Sequence, residues 1–303
     1  MPVERIGGDA ERAIASVLSQ EAPFPFELIV VSAMPLNLAA EARVRNVTEP
    51  NRNPATRRNR AASVAAGEIL AFLDDDATAD PRWLATACAY LDTHPDVLAV
   101  GGPDPAPPDS TIPELIADTL LATRWIGSGV AAHENRRGVF DLVAPTDVAL
   151  VNLFVRRSAF TGFDEAIGYI AEDTGLLEQL LGRGRVVYHH DVRVHHRRRP
   201  FPGPYLRQRW RYRVKTGQML VRGSRAHRSP KITAFLVAGA LGLLFAPLVA
   251  LPYAALTLIL GIPATKLPPR WWPFIPIAFA AHHAIYWFGI VTGMLTARQQ
   301  GRP

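Results

Sequence analysis

Residues 67–84, GEILAFLDDDATADPRWL, decide how this chain is read. Residues 69–73 make an apolar run of strand length. Such a run, bounded by a turn signal, suits a parallel strand covered on both faces. It stops at three adjacent carboxylates, Asp74, Asp75 and Asp76. Adjacent like charges repel, and they persist at a strand end only when solvated or neutralised by a cation. Ligands of open α/β sheets bind beyond the carboxyl ends of the strands. The triplet is therefore a candidate oxygen-ligand site for Mg²⁺ or Mn²⁺ holding a phosphorylated substrate. A solvated acidic turn before a helix begun by Pro81 is the plainer alternative.

Working outward, residues 9–20 carry Ala13, Ile14, Val17 and Leu18 at helical spacing, with Asp9 as a cap. Residues 26–31 (FELIVV) read as a buried strand, 39–47 as a weaker third strand around Val44 and Val47, and 55–67 as a helix. Downstream of the triplet come a helix at 84–92, a strand at 97–100 and a proline-rich loop at 103–113. A helix at 112–126, a strand at 147–155, the turn GFDE, a helix at 171–182 and short strands at 185–188 and 192–195 complete the pattern. The alternation predicts a layered α/β domain.

Thirty-three Lys and Arg face 27 Asp and Glu, and only Lys215, Lys231 and Lys266 are lysines, so the basic balance is an arginine bias. Cys88 is the only cysteine, which excludes an internal disulfide and a cysteine metal cluster. The first eight residues have no apolar core of a signal peptide, so the main body is expected in the cytoplasm. Beyond Lys231 the composition changes. Residues 232–263 are uncharged over a length that can span a bilayer, with Pro247 and Pro252 making them one kinked span or two short helices. Residues 271–295 form a second apolar stretch, with Trp271, Trp272, Tyr286 and Trp287 suited to an interfacial belt. His282 and His283 within it are costly unless they face protein or water, which suggests contact with a lipid head group or a tilted interfacial helix. Arg222, Arg225, Arg228 and Lys231 suit a cytoplasmic flank. The expected division is 1–225 as a catalytic-type domain and 226–303 as membrane-anchoring helices.

The ordered motifs of residues 9–217 resemble family 2 glycosyltransferases. NPATRRNRAASVAAGEILAFLDDDA is similar to that family's Arg-Asn helix followed by its Asp-rich strand end. The resemblance implies a GT-A Rossmann-like mixed sheet and inverting transfer from a nucleotide-sugar donor. It assigns Arg58, Asn59, Asp74 and Asp75 to the donor nucleotide, and Asp76, with Asp74, to a divalent cation, Mg²⁺ or Mn²⁺. A guanidinium suits a diphosphate because it offers forked donors and permanent charge. Without that context, Arg57, Arg58 and Arg60 read as a solvated helix face for two of the three. Glu172 and Asp173 after GFDE resemble the family's Glu-Asp motif, with Asp173 as general base for the acceptor hydroxyl. His195 and His196 close a strand where many members place a metal-binding His, and His196 is preferred as the ligand. Gln208, Arg209 and Trp210 partly resemble the Gln-Arg-Trp motif of processive members, while Arg211 and Tyr212 fit the Arg-Tyr pair of non-processive ones. Either set would hold acceptor or diphosphate. The same basic helix also suits an anionic membrane surface.

The chain departs from the pattern at three places. The family begins with an apolar strand, whereas MPVERIGGDAERAIASVL runs almost directly into a helix, so that strand is missing or degenerate. Ser32 and Ala33 stand where members carry a base- or ribose-binding Asp, and Ala61 stands where they carry Gly. A misassigned start would account for the strand but not for Ser32 and Ala33; degeneration of the donor site would account for both. The expected protein is a multi-pass enzyme of the cell (inner or plasma) membrane, with its catalytic domain cytoplasmic. It would glycosylate a lipid-linked or envelope glycan acceptor. A catalytically silent membrane scaffold in glycan assembly is the alternative. No nucleic-acid partner is expected, because the basic run at 197–213 adjoins a membrane segment.

Overall fold

The computed structural model describes residues 1–36, 42–166, 172–221 and 230–300, without side-chain detail at 172–173, 230–231 and 298–300. Two compact units divide them: 1–107 with 130–197, and 108–129 with 198–303. The expected boundary at residue 225 falls outside the described residues.

The first unit is the α/β layer. Its elements are α1 (Gly8–Leu18), β1 (Leu28–Ser32), β2 (Val44–Thr48), α2 (Pro54–Val64), β3 (Ile69–Phe72), β4 (Ala77–Ala79), α3 (Trp83–Thr93) and β5 (Val97–Gly101). After residue 129 it continues with β6 (Val139–Asp141), β7 (Leu153–Arg156), α5 (Glu172–Leu181), β8 (Arg185–His189) and β9 (Val194–His196). The mixed sheet runs β3-β7-β5-β8-β6, with β5 and β8 parallel and the other pairs antiparallel. Strand alternation builds a core on each face. Phe154 of β7 and Val187 of β8 pack with Trp83, Leu84 and Leu91 of α3. Their neighbours Leu153, Val155, Val186 and Tyr188 pack with Leu176, Leu177 and Leu180 of α5.

Residues 1–3 run beside β1. The Val3 N–H donates to the Val31 carbonyl at 2.8 Å and the Val31 N–H to the Met1 carbonyl at 2.9 Å, making one parallel bridge at Pro2. Val3 is fully buried. This short segment does not join the sheets: β1 and β2 form a separate parallel pair, and among the described residues β3 is an edge strand.

Several expected boundaries moved for local reasons. Gly7, not Asp9, caps α1, and Asp9 sits in its first turn. Helix α3 starts at Trp83, after Arg82. Residues 147–155 are strand only from Leu153, because Leu150–Asn152 form a 3₁₀ turn. Part of the weak strand at 39–47 lies outside the described residues, and its ordered remainder is β2. Strands β4 and β6 are three residues each, too short for a periodicity to show.

The second unit is helical: α4 (Ile112–Ala122), α6 (Gly203–Val221), α7 (Pro230–Leu244), α8 (Ala246–Gly261) and α9 (Ile275–Gln300). The apolar stretch at 232–263 is thus a helix pair, divided at Phe245. Pro247 lacks an N–H and its ring opposes a preceding helical turn, so a new helix starts there. Ala246–Ala264 and Pro269–Ala297 are long and apolar enough to cross a bilayer by length and composition. Leu241, Leu243, Leu244, Leu248, Leu251 and Ile259 are all more than half exposed. Helices α6 and α9 approach closely. A Cβ at Gly217 would overlap the Ile290 carbonyl oxygen, and one at Gly293 the Val214 carbonyl oxygen. Small residues let helix backbones meet in this way. His282 and His283 face protein: Nδ1 of His282 meets the Tyr205 hydroxyl at 2.6 Å, Nδ1 of His283 meets that of Tyr253 at 2.8 Å, and Nε2 of His283 meets the Ile126 carbonyl at 2.7 Å.

Candidate functional site

The site is assembled at the carboxyl end of β3, where Asp74–Asp76 leave the strand. Two neighbouring residues of α2 organise it. Asn53 caps this helix by accepting from the Ala55 N–H at 3.1 Å, with Pro54 supplying a preset helical φ. Successive helical residues diverge by about 100°, so Arg58 and Asn59 serve different partners. Arg58, 8 % exposed, donates Nη2 to Asp74 Oδ1 at 2.7 Å. Asn59 holds the GFDE turn: its amide donates to the Phe163 carbonyl at 2.9 Å and to Glu165 Oε1 at 2.8 Å, while the Phe163 N–H donates to Asn59 Oδ1 at 2.8 Å. Gly162 in that turn has φ +92°, which a side chain would strain. Helix α2 therefore ties the acidic strand end to the turn that precedes α5. Of the three arginines, Arg60 alone is exposed; Arg57 is buried and donates to Glu4 Oε1 at 2.8 Å and to the Asn51 carbonyl at 3.0 Å.

Asp75 lies between its two acidic neighbours. Burial first, and then repulsion from Asp76 and Asp74, raise its pKa to about 6, despite backbone hydrogen bonds from its own N–H and that of Glu4. A carboxyl so strained by its neighbours is poised to gain from a nearby cation.

Asp76 acquires a nitrogen partner through the small ladder of β4 and β9. Ala77 pairs with His196 and Thr78 with His195, and the Arg197 N–H donates to the Asp76 carbonyl at 3.0 Å. Side chains alternate along a strand, so the two histidines diverge. Nε2 of His196 lies 3.2 Å from Asp76 Oδ1, whereas Nε2 of His195 lies 3.2 Å from Asp80 Oδ1. Among the described residues no three His, Cys, Asp or Glu side chains converge as a metal cluster. The Asp76–His196 pair nonetheless suits a hard cation shared with a diphosphate. Such ions take one or two carboxylates plus substrate phosphates, and adjacent donors of an octahedron at about 2.1 Å stand about 3 Å apart. Asp74 is engaged by Arg58.

Glu172 and Asp173 open α5, and their side chains lie outside the described residues. Gln208, Arg209 and Trp210 lie on α6 of the second unit. Arg209 Nη2 donates to Gln208 Oε1 at 3.0 Å, and its guanidinium sits over the rings of Tyr212 and Tyr205 at 5.0 and 5.5 Å.

Two polar groups beside this site were given no role by the sequence reading. Asn152, fully buried, accepts from Trp83 Nε1 at 2.8 Å and donates to the carbonyls of Pro103 and Val192 at 3.1 and 2.7 Å. Asp104, also fully buried, meets Nδ1 of His133 at 2.6 Å and Nδ1 of His196 at 3.2 Å. Its position just past the carboxyl end of β5, after two glycines, was the available signal.

The mixed α/β sheet thus carries an acid-rich strand end, a paired arginine and an aspartate–histidine couple close to one another. Residues 7–116, about a third of the chain, match the family model described as Glycosyl transferase family 2. A glucosyl-dolichyl phosphate glucuronosyltransferase of Haloferax volcanii is 37 % identical over 59 residues, which is 20 % of this chain and 19 % of the relative. The match thus spans about a fifth of that relative's length. Among solved structures, a Pyrobaculum calidifontis mannosyltransferase in complex with GDP-Man and Mn²⁺ is 18 % identical at a TM-score of 0.49, over 100 % of this chain and 74 % of that one. S. aureus TarS 1-349 is 15 % identical at a TM-score of 0.49, over 99 % and 90 % of the two chains.

Proposed function

We propose that this protein is a membrane-associated, inverting glycosyltransferase that moves a sugar from a nucleoside-diphosphate donor to a lipid-linked or cell-envelope glycan acceptor. The observation that carries the reading is the grouping of Arg58, Asp74, Asp75, Asp76 and His196 at one strand end. Arg58 holds Asp74 in place and contributes positive charge toward a diphosphate. Asp74 and Asp75 bind the donor nucleotide. Asp76 and His196 hold Mg²⁺ or Mn²⁺, which when bound neutralises the diphosphate leaving group. Asp173 takes the proton of the acceptor hydroxyl, with Glu172 beside it, as in-line attack requires one base opposite the leaving group. Gln208, Arg209 and Trp210 are the candidates for holding acceptor or diphosphate.

The exposed apolar faces of α7 and α8, together with the two span-length segments, support a bilayer as their surroundings. An acceptor anchored in that bilayer would suit an enzyme held there, and the named Haloferax relative acts on a dolichyl phosphate derivative.

Asp173→Asn is the direct test. Turnover should fall by about 10²- to 10⁴-fold, the usual contribution of a general base, while donor binding stays intact. Unchanged turnover removes Asp173 as the base. A second reading, a catalytically silent relative that scaffolds glycan assembly, draws on the single bridge that residues 1–3 make with β1. It draws also on Ser32, whose hydroxyl donates to the Met34 carbonyl at 2.6 Å where an acidic residue was expected. Metal-dependent hydrolysis of a nucleotide-sugar by the full-length protein separates the two: the enzyme hydrolyses slowly and the scaffold does not.

A further inference from the structure

His196 can offer one ring nitrogen to Asp76 because the other is already engaged. Asp104 has no solvent-exposed surface, yet it carries a carboxylate met by two imidazoles, Nδ1 of His196 on Oδ2 and Nδ1 of His133 on Oδ1. A carboxylate accepts, so Nδ1 is the nitrogen by which each ring donates to Asp104. In His196 the other nitrogen, Nε2, lies 3.2 Å from Asp76 Oδ1, where it donates while the ring carries both protons and supplies its lone pair once a cation displaces that proton.

The backbone under Asp104 is fixed with equal care. A Cβ at Gly102 would overlap the Val192 carbonyl oxygen, so only glycine lets the loop lie this close to residues 189–192. The Pro103 carbonyl accepts from the Val194 N–H at 3.1 Å and from the Asn152 amide at 3.1 Å. The Pro105 carbonyl accepts from the His196 N–H at 3.0 Å, and the Asp104 N–H donates to the Ala132 carbonyl at 3.3 Å. Loop 102–105 and β9 are thus hydrogen-bonded along their length, with the carboxylate aimed between the two imidazoles.

The geometry points to Asp104 as a positioning residue for the donor site. Braced by His133, it holds His196 in the Nδ1–H tautomer, so that Nε2 and Asp76 present a nitrogen and an oxygen to a divalent cation. This rests on the metal-dependent reading above. Carboxylates that orient a ligating histidine typically matter by about 10- to 100-fold in metal affinity. Asn is the informative replacement at 104, because its amide keeps the shape but offers one acceptor oxygen to two donors.

The experiment uses the full-length protein with Mn²⁺ alone, followed by calorimetry and by the electron paramagnetic resonance of the ion. Histidine ¹⁵N spectra of the metal-free wild type are recorded alongside, with His196 assigned by substitution. The wild type should bind Mn²⁺, and its His196 ring should keep a hydrogen on Nδ1 with and without the ion. Asp104→Asn should bind Mn²⁺ about 10- to 100-fold more weakly. His133→Asn, which keeps a donor near the place of Nδ1, should lose less than His133→Ala. Asp96→Asn, on the surface beside Arg185, should bind as the wild type does. Equal Mn²⁺ affinity in Asp104→Asn and wild type overturns the positioning role and leaves the metal site standing. An Nε2–H tautomer in the wild type overturns it even if Asp104→Asn fails to fold. No Mn²⁺ binding by the wild type overturns the metal reading and the positioning role together.

Discussion

In the α/β unit, Arg58 is 8 % exposed and is met by Asp74 at 2.7 Å, and Arg57, at 2 %, is met by Glu4 at 2.8 Å. In the helical unit, Arg213 lies with its guanidinium carbon 3.8 Å from the centre of the Tyr286 ring, and Arg209 sits over Tyr212 and Tyr205. Neither of these two makes an ion pair among the described residues, and Nε of each is shielded without a hydrogen-bond partner. The first arrangement sets carboxylates against arginine and holds charge at the strand end proposed as the donor site. The second accommodates cation against aromatic faces, which supply a negative quadrupole without adding a second ion to desolvate. For these two residues that avoids burying a further ion at several kcal/mol, whereas Arg198 of the same unit is paired with buried Asp118 at 2.9 Å.

The largest departure should come from breaking the helix contact that carries the second arrangement. Gly293→Val drives a branched side chain into the Val214 carbonyl, and Arg213 lies one residue before Val214 on the same helix. Overpacking of this kind costs about 1–3 kcal/mol, and more where backbone must move. The detergent-solubilised protein should lose thermal stability, whereas Gly203→Ala, with open space around it, should not. Next comes Arg58→Met, which strands Asp74 beside two other carboxylates. About 2 kcal/mol of stability should go, short of the cost for a fully buried pair because the Asp74 side chain is 32 % exposed. Calorimetric unfolding should show it, with donor binding weakened as well. Arg213→Met sharpens the contrast. It removes a cation–π contact worth about 0.5–2 kcal/mol but leaves no carboxylate unpaired, so its loss should be smaller than that of Arg58→Met. The reverse order would mean that aromatic faces neutralise these cations better than carboxylates do. Smallest of all, Arg185→Ala removes two exposed ion pairs, with Asp96 and Asp141, and should leave the melting temperature unmoved.

Much of the site was legible because its elements are local. A strand-length apolar run cut off by three carboxylates announces both a strand end and a charge problem. The Arg-Asn dipeptide on a capped helix carries a donor role only through the family resemblance, and packing reveals that Arg58 serves Asp74 while Asn59 serves the GFDE turn. The solvated helix face expected for two arginines holds for Arg60 alone, since burial depends on what lies above the helix. The choice between His195 and His196 was open in sequence because adjacent strand residues are chemically equal until register assigns them to opposite faces.

Sequence alone determined the local things: the strand that ends in Asp74–Asp76, the helix that carries Arg58, and the apolar stretches. These follow from residue type and spacing over a few neighbours. The tertiary structure decided what depends on distant segments meeting. It paired β4 with β9 to bring His196 to Asp76, and it set Asp104 beneath two imidazoles 29 and 92 residues away. It also turned His282 and His283 toward Tyr205 and Tyr253. A buried polar group is satisfied by whichever partner the fold delivers, and no periodicity in the chain encodes that delivery.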